Sequence, residues 1–204
     1  MKRFLLLFLL AGTIEAQDTV RVKHGNYESV FSKSKKYPVL VEWTVTRSKL
    51  ECKNAVKRTD KFLPDPNIPR NWSDVDGDYV KSGFDRGHIS PAADARCNEK
   101  HMAESFYFTN MAPQYPGLNR GQWKNLEEWT RILAMENDSV IVQAGCVGEA
   151  QKMNRVSVPT YCWKVIRYKK QSEAYVFPNL PERSKSFEMH KVPLDSIKKL
   201  RKLP

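Results

Sequence analysis

The sequence predicts an α+β fold, on two observations. Runs rich in β-branched and aromatic residues recur along the chain, at 37–45, 106–111, 139–144, 157–166 and 174–178. Among them stands one long helical pattern, opening at Asn119 and continuing to about Asn137. Within it Trp123, Leu126, Thr130 and Leu133 share a face, and Trp129, Ile132 and Met135 widen it. Most of those side chains are therefore core.

The strand at 37–45 follows a polar, charged stretch, 17–36, which reads as a flexible lead-in. From Lys57 to Asp78 the residues Pro64, Pro66, Asn67, Pro69 and Gly77 break any regular pattern, so this is loop. Arg58 stands near its start. A helix-like segment spans 98–105, and the aromatic run 106–111 leads into a turn at Ala112-Pro113-Gln114. After 178 comes a basic extension, 181–204, with a short amphipathic helix pattern around Leu194 to Leu203. Its run of Lys198, Lys199, Arg201 and Lys202 reads first as a solvated face.

Residues 1–16 read as a secretory signal. Lys2 and Arg3 precede the apolar run Phe4 to Ala11, and small residues lie before Gln17. The run is too short to span a bilayer, which takes roughly 20 residues. The expected product is secreted or periplasmic, without stable membrane insertion. Export makes the four cysteines, Cys52, Cys97, Cys146 and Cys162, read as two disulfides, because no CxxC pair offers metal-ligand spacing. Three pairings are open. Cys146 and Cys162 lie in successive strand-like runs and are natural neighbours, which leaves Cys52 with Cys97.

The chain has 204 residues, with 34 Lys and Arg against 23 Asp and Glu, a formal charge of +11. That length suits one domain with appendages. The basic balance favours polyanionic partners, nucleic acid before an anionic membrane, although excess lysine also serves solubility. Chemistry concentrates in Ser82-Gly83-Phe84-Asp85-Arg86-Gly87-His88, which sets an acid, a guanidinium and an imidazole within four residues. In a chain this basic, the cluster points to phosphate handling. Asn119, Trp123, Glu127 and Arg131 recur every four residues, so their side chains point broadly one way. An amide and a carboxylate so placed could share a hydrated metal. On spacing alone the favoured reading is a helix cap at Asn119 and a Glu127–Arg131 pair.

These pieces, in this order, resemble the DNA/RNA non-specific endonucleases of the ββα-metal type. The likeness rests on Ser82 to His88 with Pro91 and Asp94, and on Phe108-Thr109-Asn110-Met111-Ala112-Pro113-Gln114. It continues in Asn119-Arg120-Gly121-Gln122-Trp123 with Leu126-Glu127, and in Val158-Pro159-Thr160-Tyr161-Cys162-Trp163-Lys164-Val165-Ile166. It spans roughly 37–180, which sets the expected endonuclease domain.

The resemblance implies a mixed, mainly antiparallel sheet carrying a ββα-metal, or His-Me finger, catalytic unit. It makes His88 the general base and Asn119 the direct protein ligand of Mg²⁺, with Mn²⁺ as a substitute. Glu127 would hold metal-bound water, Arg58 and Arg86 would bind phosphate, and Asp85 would orient the site. Asn110 and Arg131 would support it, Arg131 on the substrate side. DNA and RNA are the implied substrates, cleaved to 5′-phosphate ends. The competing expectation is an inactive nucleic-acid-binding protein of the same fold. The oligomeric state stays open, a homodimer included.

Overall fold

A computed structural model describes residues 18–182 and 186–202; the signal segment 1–16 lies outside them. Among the described residues eleven strands form three sheets. The largest holds β1 (Thr19–Lys23), β2 (Tyr27–Ser32), β3 (Pro38–Thr46), β6 (Ser139–Val147), β9 (Tyr161–Tyr168), β10 (Gln171–Pro178) and β11 (Lys191–Val192). Its spatial order is β1-β2-β3-β6-β9-β10-β11, and each neighbouring pair is antiparallel. The smaller sheets pair β4 (Asp85–His88) with β5 (Met111–Gln114), and β7 (Gln151–Met153) with β8 (Val156–Val158).

The long helix Lys124–Asn137 packs on β3, β6 and β9. Trp43 and Val45 of β3, Val140, Val142 and Ala144 of β6, and Trp123, Leu126, Leu133 and Ala134 of the helix region form one buried cluster. The opposite face of the sheet is covered as well. There Trp163, Val165 and Ala174 pack with Ile197 of the terminal helix Leu194–Leu200. Leu126 is fully buried at the centre of the first cluster. Leu126→Ala is expected to cost about 2–5 kcal/mol of stability, read by denaturant unfolding.

Several expectations need correction. Residues 18–36 are not a flexible lead-in: β1 and β2 extend the main sheet, because Val22, Tyr27 and Phe31 are buried between its charged residues. In the basic extension, β11 pairs with β10 and Ile197 is buried. The run 106–111 is not a strand. It ends in a 3₁₀ turn, Phe108–Asn110, and the strand begins at Met111, where pairing with β4 starts. The run 157–166 breaks at Pro159, which cannot donate to a ladder, into β8 and β9. Within the loop at 57–78, short helical turns form at Arg70–Ser73 and Asp76–Tyr79.

Two disulfides tie the fold, Cys52–Cys97 and Cys146–Cys162. Cys146 and Cys162 stand directly opposite in the β6–β9 register, with Cα atoms 4.1 Å apart. Cys52–Cys97 ties the residues before Arg58 to the connection between β4 and β5.

Candidate active site

Strands β4 and β5 and the long helix compose a ββα unit, and the predicted site residues cluster around it. The turn into β4 contains Gly83 at φ +85°, a conformation other residues adopt only with strain. Gly87 is required by space: a Cβ there would lie 2.3 Å from Gln114 Oε1. The alternation of a strand then sets Asp85 to one side and Arg86 with His88 to the other.

His88 ends β4, nearly buried. Its ring meets Phe106 edge-on at 4.8 Å and Phe62 at 5.8 Å, and its Nε2 is buried without a hydrogen-bond partner among the described residues. Its carbonyl accepts from the Trp123 indole N–H at 2.9 Å, which fixes the strand end against the helix start. Burial, helped by the nearby Arg58 charge, lowers the imidazole pKa to about 3, against a partial counter-effect from Asp60. The ring is therefore neutral across the ordinary pH range.

The two arginines rest on aromatic faces. Arg58 lies 4.9 Å from the Phe106 ring centroid and pairs with Asp60 at 2.6 Å. Arg86 lies 5.3 Å from the Phe62 centroid and 5.2 Å from that of Tyr79, and pairs with Asp76 at 2.7 Å. Phe62, Phe106 and Tyr79 thus support cationic groups beside the imidazole.

On the other side of β4, Asp85 accepts from Asn119 Nδ2 at 2.8 Å and from Arg120 Nε and Nη2 at 2.8 and 2.6 Å. Asn119 is not a simple cap. It lies in the short turn just before Gly121, whose non-helical φ/ψ of −108°/−110° kinks the chain ahead of the helix Lys124–Asn137. With Nδ2 given to Asp85, the amide oxygen of Asn119 is the atom left to meet a cation.

Glu127 is half-buried. Desolvation raises its carboxyl pKa, with Asp94 acting in the same sense and Lys164, Arg131 and Arg58 opposing. Arg131 pairs with buried Asp94 at 3.3 Å in place of the alternative Glu127–Arg131 pair. Asp94 also accepts from Trp43 Nε1 at 2.9 Å. Arg131 is therefore held from behind by a buried carboxylate. Lys164 on β9 is wholly buried, 4.3 Å from the Trp123 centroid and 5.6 Å from that of Trp43. Burial lowers its pKa while Glu127 and Asp94 raise it.

Asn110 stands apart from the other predicted residues. Its Nδ2 donates to Ser90 and Ser105 carbonyls, each at 2.8 Å, and its Oδ1 accepts from Ser90 N–H at 2.9 Å. Fully buried, Asn110 braces the backbone behind His88 through these bonds.

The donor set fits a hard, hydrated divalent cation. Asn119 Oδ1 and the Glu127 carboxylate are oxygen donors, and both amide atoms of buried Gln114 lack a partner among the described residues. Those residues hold no group of three or more His, Cys, Asp and Glu able to cage a metal.

Comparison with known proteins decides the family. The profile described as "DNA/RNA non-specific endonuclease" matches residues 11–203. The chain belongs to that family. The match reaches beyond the expected span of 37–180, in keeping with the terminal strands found in the sheet. "Nuclease 1, mitochondrial" of Schizosaccharomyces pombe is 36% identical over 79% of this chain and 57% of its own length. A "Nuclease" of Nostoc sp. is 31% identical over 90% of this chain and 72% of its own. Human "Endonuclease G, mitochondrial" is 32% identical over 70% and 55%. The chain thus spans little more than half the length of these mitochondrial relatives. A crystal structure of an EndoG/EndoGI complex superposes with a TM-score of 0.81 at 29% identity, covering 90% of this chain and 84% of that one.

In this family member, then, the fold links Asp85 to Asn119 and seats His88 between Phe62, Phe106 and the helix start. Phe62 and Phe106 were not foreseen as site residues. An apolar residue in a loop, or in a strand-like run, carries no signal of its own. Lys164 stood within a quoted motif without a role, and only its position beneath the helix reveals that its charge faces the site.

Proposed function

We propose that the protein is a Mg²⁺-dependent endonuclease that hydrolyses DNA and RNA without strong sequence preference. The observation that carries this reading is the seating of His88. A neutral, unpartnered imidazole stands in the field of Arg58, on a strand whose Asp85 also holds the Asn119 amide. The family and the relatives named as nucleases support it.

A phosphodiester is anionic and repels a hydroxide-like nucleophile, so its charge must be offset before attack. Arg58 and Arg86 present guanidinium groups suited to bidentate phosphate contact, once Asp60 and Asp76 give way. Desolvation first, and the Arg58 charge second, keep the buried imidazole neutral and so able to accept a proton. His88 then takes a proton from the attacking water. Asp85 fixes the orientation of Asn119, and Glu127 accepts hydrogen bonds from water held at the site. Asn119 would hold a divalent ion, which would supply charge neutralisation to the phosphodiester; departure of the 3′-oxygen as the water oxygen bonds to phosphorus leaves 5′-phosphate ends. Contacts confined to phosphate carry little sequence information, as a non-specific enzyme requires.

Export follows from residues 1–16, with Lys2 and Arg3 ahead of one continuous apolar run. The described helices include none long and apolar enough to cross a membrane.

The test is incubation of the purified protein with plasmid DNA and with RNA, with Mg²⁺ and with chelator. Cleavage to ligatable 5′-phosphate ends, abolished by chelation, is expected. Salt-sensitive binding without cleavage in either Mg²⁺ or Mn²⁺ would establish an inactive nucleic-acid-binding protein instead.

A further inference from the structure

We infer that Phe62 is a positioning residue for the reaction, locking Arg86 and His88 into one geometry; this rests on the nuclease reading above. Its ring centroid lies 5.3 Å from the Arg86 guanidinium carbon and 5.8 Å from the His88 ring. It meets Phe106 edge-on at 5.2 Å, and Phe106 in turn supports Arg58 at 4.9 Å. Phe62 is thus the joint between two halves of a lattice, with Arg86 and Tyr79 on one side and His88, Phe106 and Arg58 on the other.

The joint is firmly mounted. The next residue, Leu63, donates its N–H to the Phe106 carbonyl at 3.2 Å and accepts from the Phe108 N–H at 3.1 Å. Two residues further, buried Asp65 pairs with His24 of the β1–β2 hairpin at 2.8 Å. Asp65 also accepts from the Thr109 hydroxyl and from the Asn67 N–H. A phenyl face held so rigidly defines where the guanidinium lies, because a cation over a ring gains most when centred on it. Arg86 is drawn by Asp76 on the opposite side, at 2.7 Å. When phosphate takes the place of Asp76, Phe62 and Tyr79 are what keep the guanidinium in register.

The experiment is a double-mutant cycle of Phe62→Leu with Arg86→Lys, assayed by kcat and KM on plasmid DNA, with thermal unfolding as the check on folding. Leucine keeps apolar bulk and removes the π face. Phe62→Leu is expected to lower kcat about tenfold, between the worth of an exposed and of a desolvated cation–π contact, with little change in KM. Phe62→Tyr is expected to recover most of the loss. In the Phe62→Leu background, Arg86→Lys is expected to cost less than in the wild type, since both act through one contact. A Phe62→Leu enzyme with wild-type kcat, or losses that simply multiply, would overturn the inference and leave the nuclease reading intact. A wild-type protein that cleaves nothing would overturn both.

Discussion

His88→Ala is expected to lower plasmid cleavage by about 10²–10⁴-fold at neutral pH, the usual worth of a general base. On the proposed mechanism, in which the imidazole takes a proton from the attacking water, the loss is expected in kcat. The neutral neighbours Phe62 and Phe106 remain, and offer no replacement proton acceptor. The same substitution has a stability signature with a definite sign. The folded imidazole titrates near 3, against an ordinary value of 6.5. Between those values the unfolded chain takes up a proton that the folded chain refuses. That contribution therefore lowers stability as pH falls from 6.5 towards 3, levels off below, and vanishes above 6.5. Denaturant unfolding at pH 7 and pH 4 should show a smaller difference in His88→Ala than in the wild type. Unchanged cleavage in the variant would remove His88 from the chemistry.

The second large effect is expected at Asn119. Asn119→Ala removes the amide oxygen that Asp85 holds in place, so the divalent-ion requirement of cleavage should rise beyond any practical concentration. Asp85→Ala leaves the amide present but unsteered. Loss of such an orienting partner typically costs about 10–100-fold in metal affinity. Mn²⁺ binding followed by electron paramagnetic resonance, beside cleavage titrated with Mg²⁺, reads both variants. Equal affinity in Asn119→Ala and wild type would place the cation elsewhere.

Why the site was so legible in the sequence, and parts of the fold were not, has a physical explanation. Asp85, Arg86 and His88 are contiguous, so one strand positions all three. Helical spacing alone favoured a cap at Asn119 and a Glu127–Arg131 pair; the resemblance to the endonuclease family singled out Asn119 and Glu127, and the Gly121 kink was hidden from a simple periodicity. Arg131 kept its place on the helix, but its partner Asp94 lies 37 positions away and only folding brings the two together. The β1–β2 hairpin was missed because its apolar residues, Val22, Tyr27 and Phe31, are few among charges. Likewise, the terminal helix looked like a basic appendage until Ile197 was seen buried against Trp163 and Val165. Phe62 carried no sequence signal, since its meaning comes entirely from what stands on each side of it.

The order of the main sheet has one more consequence. Its outermost strands, β1 and β11, both come from near the ends of the described chain. A sheet edge is a template for joining another molecule's backbone, and long flat edges seed aggregation. Here one edge carries exposed Arg21 and Lys23, and the other is only two residues long and is followed by Pro193. Charge guards one border, and brevity with a proline guards the other. A basic protein that must stay dispersed among polyanions is thereby protected from adding strands to itself.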